Sequence, residues 1–343
     1  MRSARCWRQR GCNVRTSDTS ITQILPLSVD PGLRRSFRFG LLLEVLDRLA
    51  EQTALAFAAP SLPRVTFVTA AIDAIRLRGA LDMSRDMILL SRANYAGTRS
   101  LEIGIRVEQP GAAASHFGSC YFTMVAQPRD IVLPPLHYED AVDDRRKAQA
   151  LARRAAARDE GAAIAPPTPP EEALLAELHM AQEGRGFAGL LVCDLQAHSF
   201  DPPDARRPND DLRVTGGFVT HRAYLLAAMC AELVAPDRAL LVAVNRINFL
   251  APVRAGDTLH YDARVTYTGT TSICVEVDIL RQSADRRTAA LCNTCTFTFR
   301  NVDPATLHGR PVPRVYPATY AEDLRYLAAH RRRLGRLAVP AAR

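Results

Sequence analysis

The sequence predicts an α+β protein made of two copies of one domain, each an antiparallel sheet wrapped round a single apolar helix. Three observations predict it. Residues 75–100 (IRLRGALDMSRDMILLSRANYAGTRS) and 247–272 (INFLAPVRAGDTLHYDARVTYTGTTS) superpose under one shift of 172 residues without a gap, setting Ile75 on Ile247, Tyr95 on Tyr267, Gly97 on Gly269 and Ser100 on Ser272. A repeat of that length is a duplicated domain, not a solenoid period. Each copy opens with apolar residues at helical spacing, and runs rich in Val, Ile, Thr, Tyr and Phe follow it.

The elements follow in chain order. Residues 1–20 read as an organellar transit peptide, because Arg2, Arg5, Arg8, Arg10 and Arg15 precede the first acid, Asp18. A basic tail is the competing reading. The first domain spans 21–135, with a long buried helix over 37–59, strands over 64–77, 86–95, 99–108 and 117–126, and a further strand before the helix. Residues 136–189 form a charged helical linker broken by Ala165-Pro166-Pro167-Thr168-Pro169-Pro170. The second domain spans 190–305, with a helix over 216–235 and strands over 238–250, 258–267, 272–281 and 289–300. A basic, partly helical tail occupies 306–343.

Composition narrows the function. The 343 residues are 48% hydrophobic and 23% charged, ordinary values for a protein with a real core. Of 44 basic residues, the five arginines of the N-terminus leave 39 against 36 acidic, a net of only +3. That balance predicts no nucleic-acid footprint. No run of about 18 apolar residues predicts a membrane span. The eight scattered cysteines fit a reducing compartment.

Several motifs lose to plainer readings. Gly184-Arg185-Gly186-Phe187-Ala188-Gly189 fits a dinucleotide fingerprint, but a helix precedes it and a strand follows, the reverse of the order that chemistry needs. Cys292 and Cys295 lie three apart in a strand and point to opposite faces, so core packing is expected and no metal. His221 reads as a packed or surface side chain.

The two helices differ where chemistry would sit. Seven residues after the helix-opening glycine stands Asp47 in the first copy and Tyr224 in the second. Asp47 falls among Leu42, Leu43, Val45, Leu46 and Leu49, with Glu44 one turn earlier. A buried acid is costly unless paired or functional; an exposed carboxylate balanced by Arg48 is the competing reading. Asn209 lies eight residues before Gly217, and the first copy has no amide at the matching place. Asn209 also suits a turn. One copy keeps the acid and the other the amide, which predicts one composite site.

Gly216-Gly217-Phe218 opening a helix, Asn248 to Asp257 (NFLAPVRAGD) and Thr268-Gly269-Thr270-Thr271-Ser272 together resemble the hotdog-fold acyl-CoA thioesterases, most closely the tandem-hotdog group. Arg38-Phe39-Gly40 with Leu43-Glu44-Val45-Leu46-Asp47, and Tyr316-Pro317-Ala318-Thr319-Tyr320, extend the likeness over about residues 25–335. The resemblance implies two tandem hotdog domains forming an intrachain pseudo-dimer that hydrolyses fatty acyl-CoA to free acid and CoA without a cofactor. It implies Asp47 as the catalytic carboxylate, with Asn209 as the partner amide. Gly216 and Gly217 would polarise the carbonyl, and Arg246 would meet a CoA phosphate or remain a surface charge. A homo-oligomer, a trimer of such chains, and a mitochondrial matrix address ahead of a plastid one are further implications. A hotdog hydratase or dehydratase and a non-catalytic acyl-CoA-binding or assembly protein are the alternatives.

Overall fold

A computed structural model describes residues 14–36, 39–73, 75–78, 81–111, 116–159, 166–202 and 214–338. The chain divides into two compact units, Met1–Asp159 with Thr215–Phe218, and Glu160–Val214 with Val219–Arg343.

The first unit begins with β1 (Val14–Arg15), a 3-10 turn over Ser17–Thr19, β2 (Ile21–Leu25) and a short helix α1 (Pro31–Ser36). Helix α2 (Phe39–Ala58) follows, and then β3 (Thr66–Ile72), β4 (Ile75–Leu77), β5 (Met87–Ala96), β6 (Ser100–Glu108) and β7 (His116–Gln127). Leu42, Leu43, Leu46, Leu49, Ala50, Ala54 and Phe57 are buried along α2. Their three- and four-residue spacing makes one broad apolar face, and that face lies against β3, β5, β6 and β7. The sheet runs β2-β5-β6-β7, all antiparallel, with β3 and β4 both pairing on β7.

Two expected boundaries move. The leader of residues 1–20 overlaps the folded body, since β1 pairs in parallel with β8 (Leu136–His137) and Thr16 and Thr19 are buried. The Thr16 hydroxyl donates to Asp143 of helix α3 (Ala141–Asp159), and Asp143 also pairs with Arg92 of β5. Residues 14–20 are therefore part of the first unit, and residues 1–13 lie outside the described residues. The front of the expected linker is likewise packed: α3 lies on β5, where Arg153 binds both carboxylate oxygens of the buried Glu102 and stacks over the Tyr121 ring. A long apolar run did not announce α3 because its sheet-facing contacts are charged.

The second unit holds α4 (Pro169–Gln182), β9 (Leu190–Leu191), a 3-10 turn over Val192–Asp194, β10 (Gln196–Asp201) and most of α5 (Gly216–Glu232). Then come β11 (Ala239–Val244), β12 (Ile247–Asn248), β13 (Thr258–Thr268), β14 (Ser272–Gln282), β15 (Ala289–Asn301), β16 (Val315–Tyr316) and α6 (Tyr320–Ala338). Its sheet runs β10-β13-β14-β15-β11, again antiparallel. The expected tail of 306–343 contributes structure here too. Strand β16 pairs with β9, α6 packs on β13, and Tyr326 of α6 meets Tyr267 edge to face at 5.0 Å.

The duplication reaches the irregularities. In β3 the register shifts between Thr69 and Ala71, leaving Ala70 as the extra residue; in β11 it shifts between Leu241 and Ala243, leaving Val242. In β5 the extra residue is Asn94, and in β13 it is Thr266. Both pairs are separated by the same 172 residues as the sequence repeat. Bulges of this kind bend a strand at a fixed place, so the two backbones were copied with their kinks. No helix among the described residues is long and apolar enough to cross a membrane.

Candidate active site

Asp47 sits in the third turn of α2 on the stripe shared by Leu43, Ala50 and Ala54, so the helical period alone turns it inward. It is 5% exposed. Two donors meet it. The Thr69 hydroxyl of β3 donates to Oδ1 at 2.6 Å, and the Gly217 N–H of α5 donates to Oδ2 at 2.8 Å. Phe67 and Thr69 stand opposite the buried Ala126 and Met124 on the strand face toward the core, and the bulge at Ala70 shifts the alternation so that Ile72, opposite Phe122, takes up that face.

Gly217 belongs to the first turn of α5, where backbone N–H groups have no partner within the helix. The carboxylate takes one of them, and the positive end of the helix dipole favours an anion there. Only glycine permits the approach. A Cβ at position 217 would lie 2.8 Å from both Asp47 Cβ and Glu44 Cα, and 3.0 Å from the Leu43 carbonyl oxygen.

The charge balance at Asp47 favours the proton. Burial is the largest influence and raises its pKa above the usual carboxylate range. The hydrogen bonds from Thr69 and Gly217 pull it down, Glu44 pushes it up, and Arg48 pulls it down. A carboxylate that is buried, oriented through both oxygens and hungry for a proton has the properties of a general base.

The other predicted residues fall out unevenly. Asn209 lies outside the described residues. Gly216 opens α5 beside Gly217, but the Gly217 N–H is directed at Asp47, so its visible role is to orient the acid and not to polarise a carbonyl. Arg246, half-buried, donates through Nε to Asn248 Oδ1 at 2.9 Å. Tyr224, at the place in α5 that Asp47 holds in α2, packs with Phe297 and Phe299 at centroid distances of 6.1 and 6.4 Å. Cys292 and Cys295 are both buried, and the bulge at Cys292 explains why a three-residue spacing does not send one of them to solvent. Burial pushes both thiols up, that of Cys292 to about 11. Among the described residues no group of His, Cys, Asp and Glu side chains could hold a metal ion.

Residues 216–286 match the family model of the thioesterase superfamily. Over 92% of its length it is 26% identical to acyl-coenzyme A thioesterases 10 and 9, both mitochondrial, of Mus musculus, and it covers 77% of each. It is 28% identical to acyl-coenzyme A thioesterase 2, chloroplastic, of Humulus lupulus, over 91% of this chain and 79% of that one. The likeness to these relatives runs through both copies of the hotdog domain, while the superfamily match covers the glycine-opened helix of the second. The buried acid of this chain is on the helix of the first copy.

Sequence reasoning missed Thr69. In a run of Thr, Phe and Val it reads as an ordinary strand former. The usable signal was its place one repeat length before the apolar Leu241, a polar-for-apolar difference between the copies like that of Asp47 and Tyr224.

Proposed function

We propose that this chain is an acyl-CoA thioesterase that hydrolyses fatty acyl-CoA to free acid and CoA, with Asp47 as general base. Asp47 takes a proton from water as the water oxygen attacks the thioester carbonyl carbon. Charge gathers on the carbonyl oxygen, where the Asn209 amide and the Gly216 N–H stabilise it. The C–S bond then breaks, the sulfur leaves with the electron pair, and the proton held by Asp47 is released to the products. The observation that carries the reading is Asp47 itself: buried, held through both oxygens and raised in proton affinity. The names of its relatives point the same way.

Around this core the proposal has outer parts. Arg246 meets a CoA phosphate. The site is a composite of the acid from one copy and the amide from the other. The chain works in the mitochondrion, a compartment the names of the mouse relatives favour, within its matrix, and assembles as a trimer of double-domain chains. Strands β2 and β10, each paired on one side within its unit, leave edges that assembly would protect.

The test is release of CoA, followed with a thiol reagent across acyl lengths, for the native protein beside Asp47→Asn and Asn209→Ala. Both variants are expected to bind acyl-CoA and to lose turnover, Asn209→Ala by about 10²–10³-fold as for a lost oxyanion donor. Near-normal turnover by Asp47→Asn would refute the base assignment. Binding by the native protein with no CoA release would make it an acyl-CoA-binding protein instead.

A further inference from the structure

Glu44 stands one turn before Asp47 on α2, and the first turn of α5 sits over both residues. A Cβ at Gly217 would lie 2.8 Å from Glu44 Cα and from Asp47 Cβ alike. The two acids thus share one helix face beneath one helix terminus. They differ in access, for Asp47 is buried while Glu44 is part-exposed. We propose that Glu44, whose backbone lies beneath the same α5 terminus one helical turn from Asp47, is a positioning residue that helps hold the Asp47 base ready to accept a proton; this rests on the reading of Asp47 as base.

The physical argument is electrostatic. Two nearby carboxylates disfavour each other's ionised form, and in a water-poor setting the effect is large compared with that in bulk solvent. The α5 terminus and the Thr69 hydroxyl both favour the Asp47 anion, as does Arg48 on the exposed side of α2. Left with these alone, Asp47 would be a weaker base. Glu44 opposes them from its own helix, and burial acts in the same sense. Among the described residues, these groups from α2, β3 and the first turn of α5 are the charged and hydrogen-bonding groups that act on the carboxylate.

The experiment is kcat against pH for acyl-CoA hydrolysis by the native protein, Glu44→Gln, Glu44→Asp and Asp47→Asn. A base must be deprotonated to act, so kcat rises with pH through its pKa. Removing the Glu44 charge should therefore move the acidic limb to lower pH, by about half to one unit. Glu44→Asp, which keeps the charge, should return the limb toward its native position. A limb that stays in place in Glu44→Gln, whether kcat is unchanged or falls by one factor at every pH, overturns the proposal. If Asp47→Asn keeps its turnover, the base assignment fails, an outcome separate from failure of the Glu44 proposal alone.

Discussion

The Gly217 N–H and the Asp47 carboxylate are hydrogen-bonded at 2.8 Å although 170 residues separate them in the chain. A glycine that looks like a helix opener in sequence is thus part of the setting of the acid. Gly217→Ala puts a methyl group into the α2 backbone at Leu43 and Glu44, neither of which can rotate away. The α5 terminus must shift, and the bond to the carboxylate weakens. A hydrogen bond to a charged group contributes about 1.5–3 kcal/mol, so kcat should fall roughly 10- to 100-fold. Far-UV circular dichroism should stay native. Full activity in Gly217→Ala would show that the bond is dispensable.

Thr69→Val keeps the shape of the side chain and removes only the donor to Asp47 Oδ1. The carboxylate is then held through one oxygen and free to rotate. Turnover should drop by about tenfold or more, with KM little changed, because the lost contact is to the base and not to substrate. A rise in KM at constant kcat would place Thr69 in substrate binding.

Asp47 should cost stability at neutral pH. Its proton affinity is higher in the folded protein than in the unfolded chain, so the native state binds the proton more tightly. Stability from this group is therefore greatest below about pH 4, the ordinary carboxylate value, and falls as pH rises through the raised folded value. Asp47→Asn should melt above the native protein at pH 7, and the gap should close as the pH is lowered past 4. A lower melting temperature for Asp47→Asn at pH 7 would mean that the two hydrogen bonds outweigh burial.

Each chain should have one working site. In the second copy Tyr224 is packed with Phe297 and Phe299, and Leu241 stands where Thr69 stands in the first. Titration with a slowly hydrolysed acyl-CoA analogue should give one burst equivalent per chain. Two equivalents would require a second base that this pair of residues does not supply.

How much was legible in the sequence depends on what carried the signal. Helices α2 and α5 and the strands β3 to β7 and β11 to β15 were readable, because a buried face imposes a 3.6- or 2-residue period on apolar side chains. Asp47 was readable as an acid interrupting such a face. Thr69 was not, since a strand threonine becomes a hydrogen-bond donor to an acid only through tertiary contact. The roles of α3 and α6 were hidden because each is rich in charge and carries only a narrow buried face, with contacts such as Arg153 on Glu102 and Tyr326 on Tyr267. Charge-rich helices resemble linkers and tails until their partners are seen. The Thr16–Asp143 contact joins residues too far apart in sequence for any local pattern to reveal.

The extra residue of β11, Val242, occupies the same station as Ala70 beside Thr69. The two copies thus share a kink where their side chains differ, and the second keeps the curvature beside which the first holds Thr69. Arming it calls for new side chains at Tyr224 and Leu241, on a main chain that already bends in the required place.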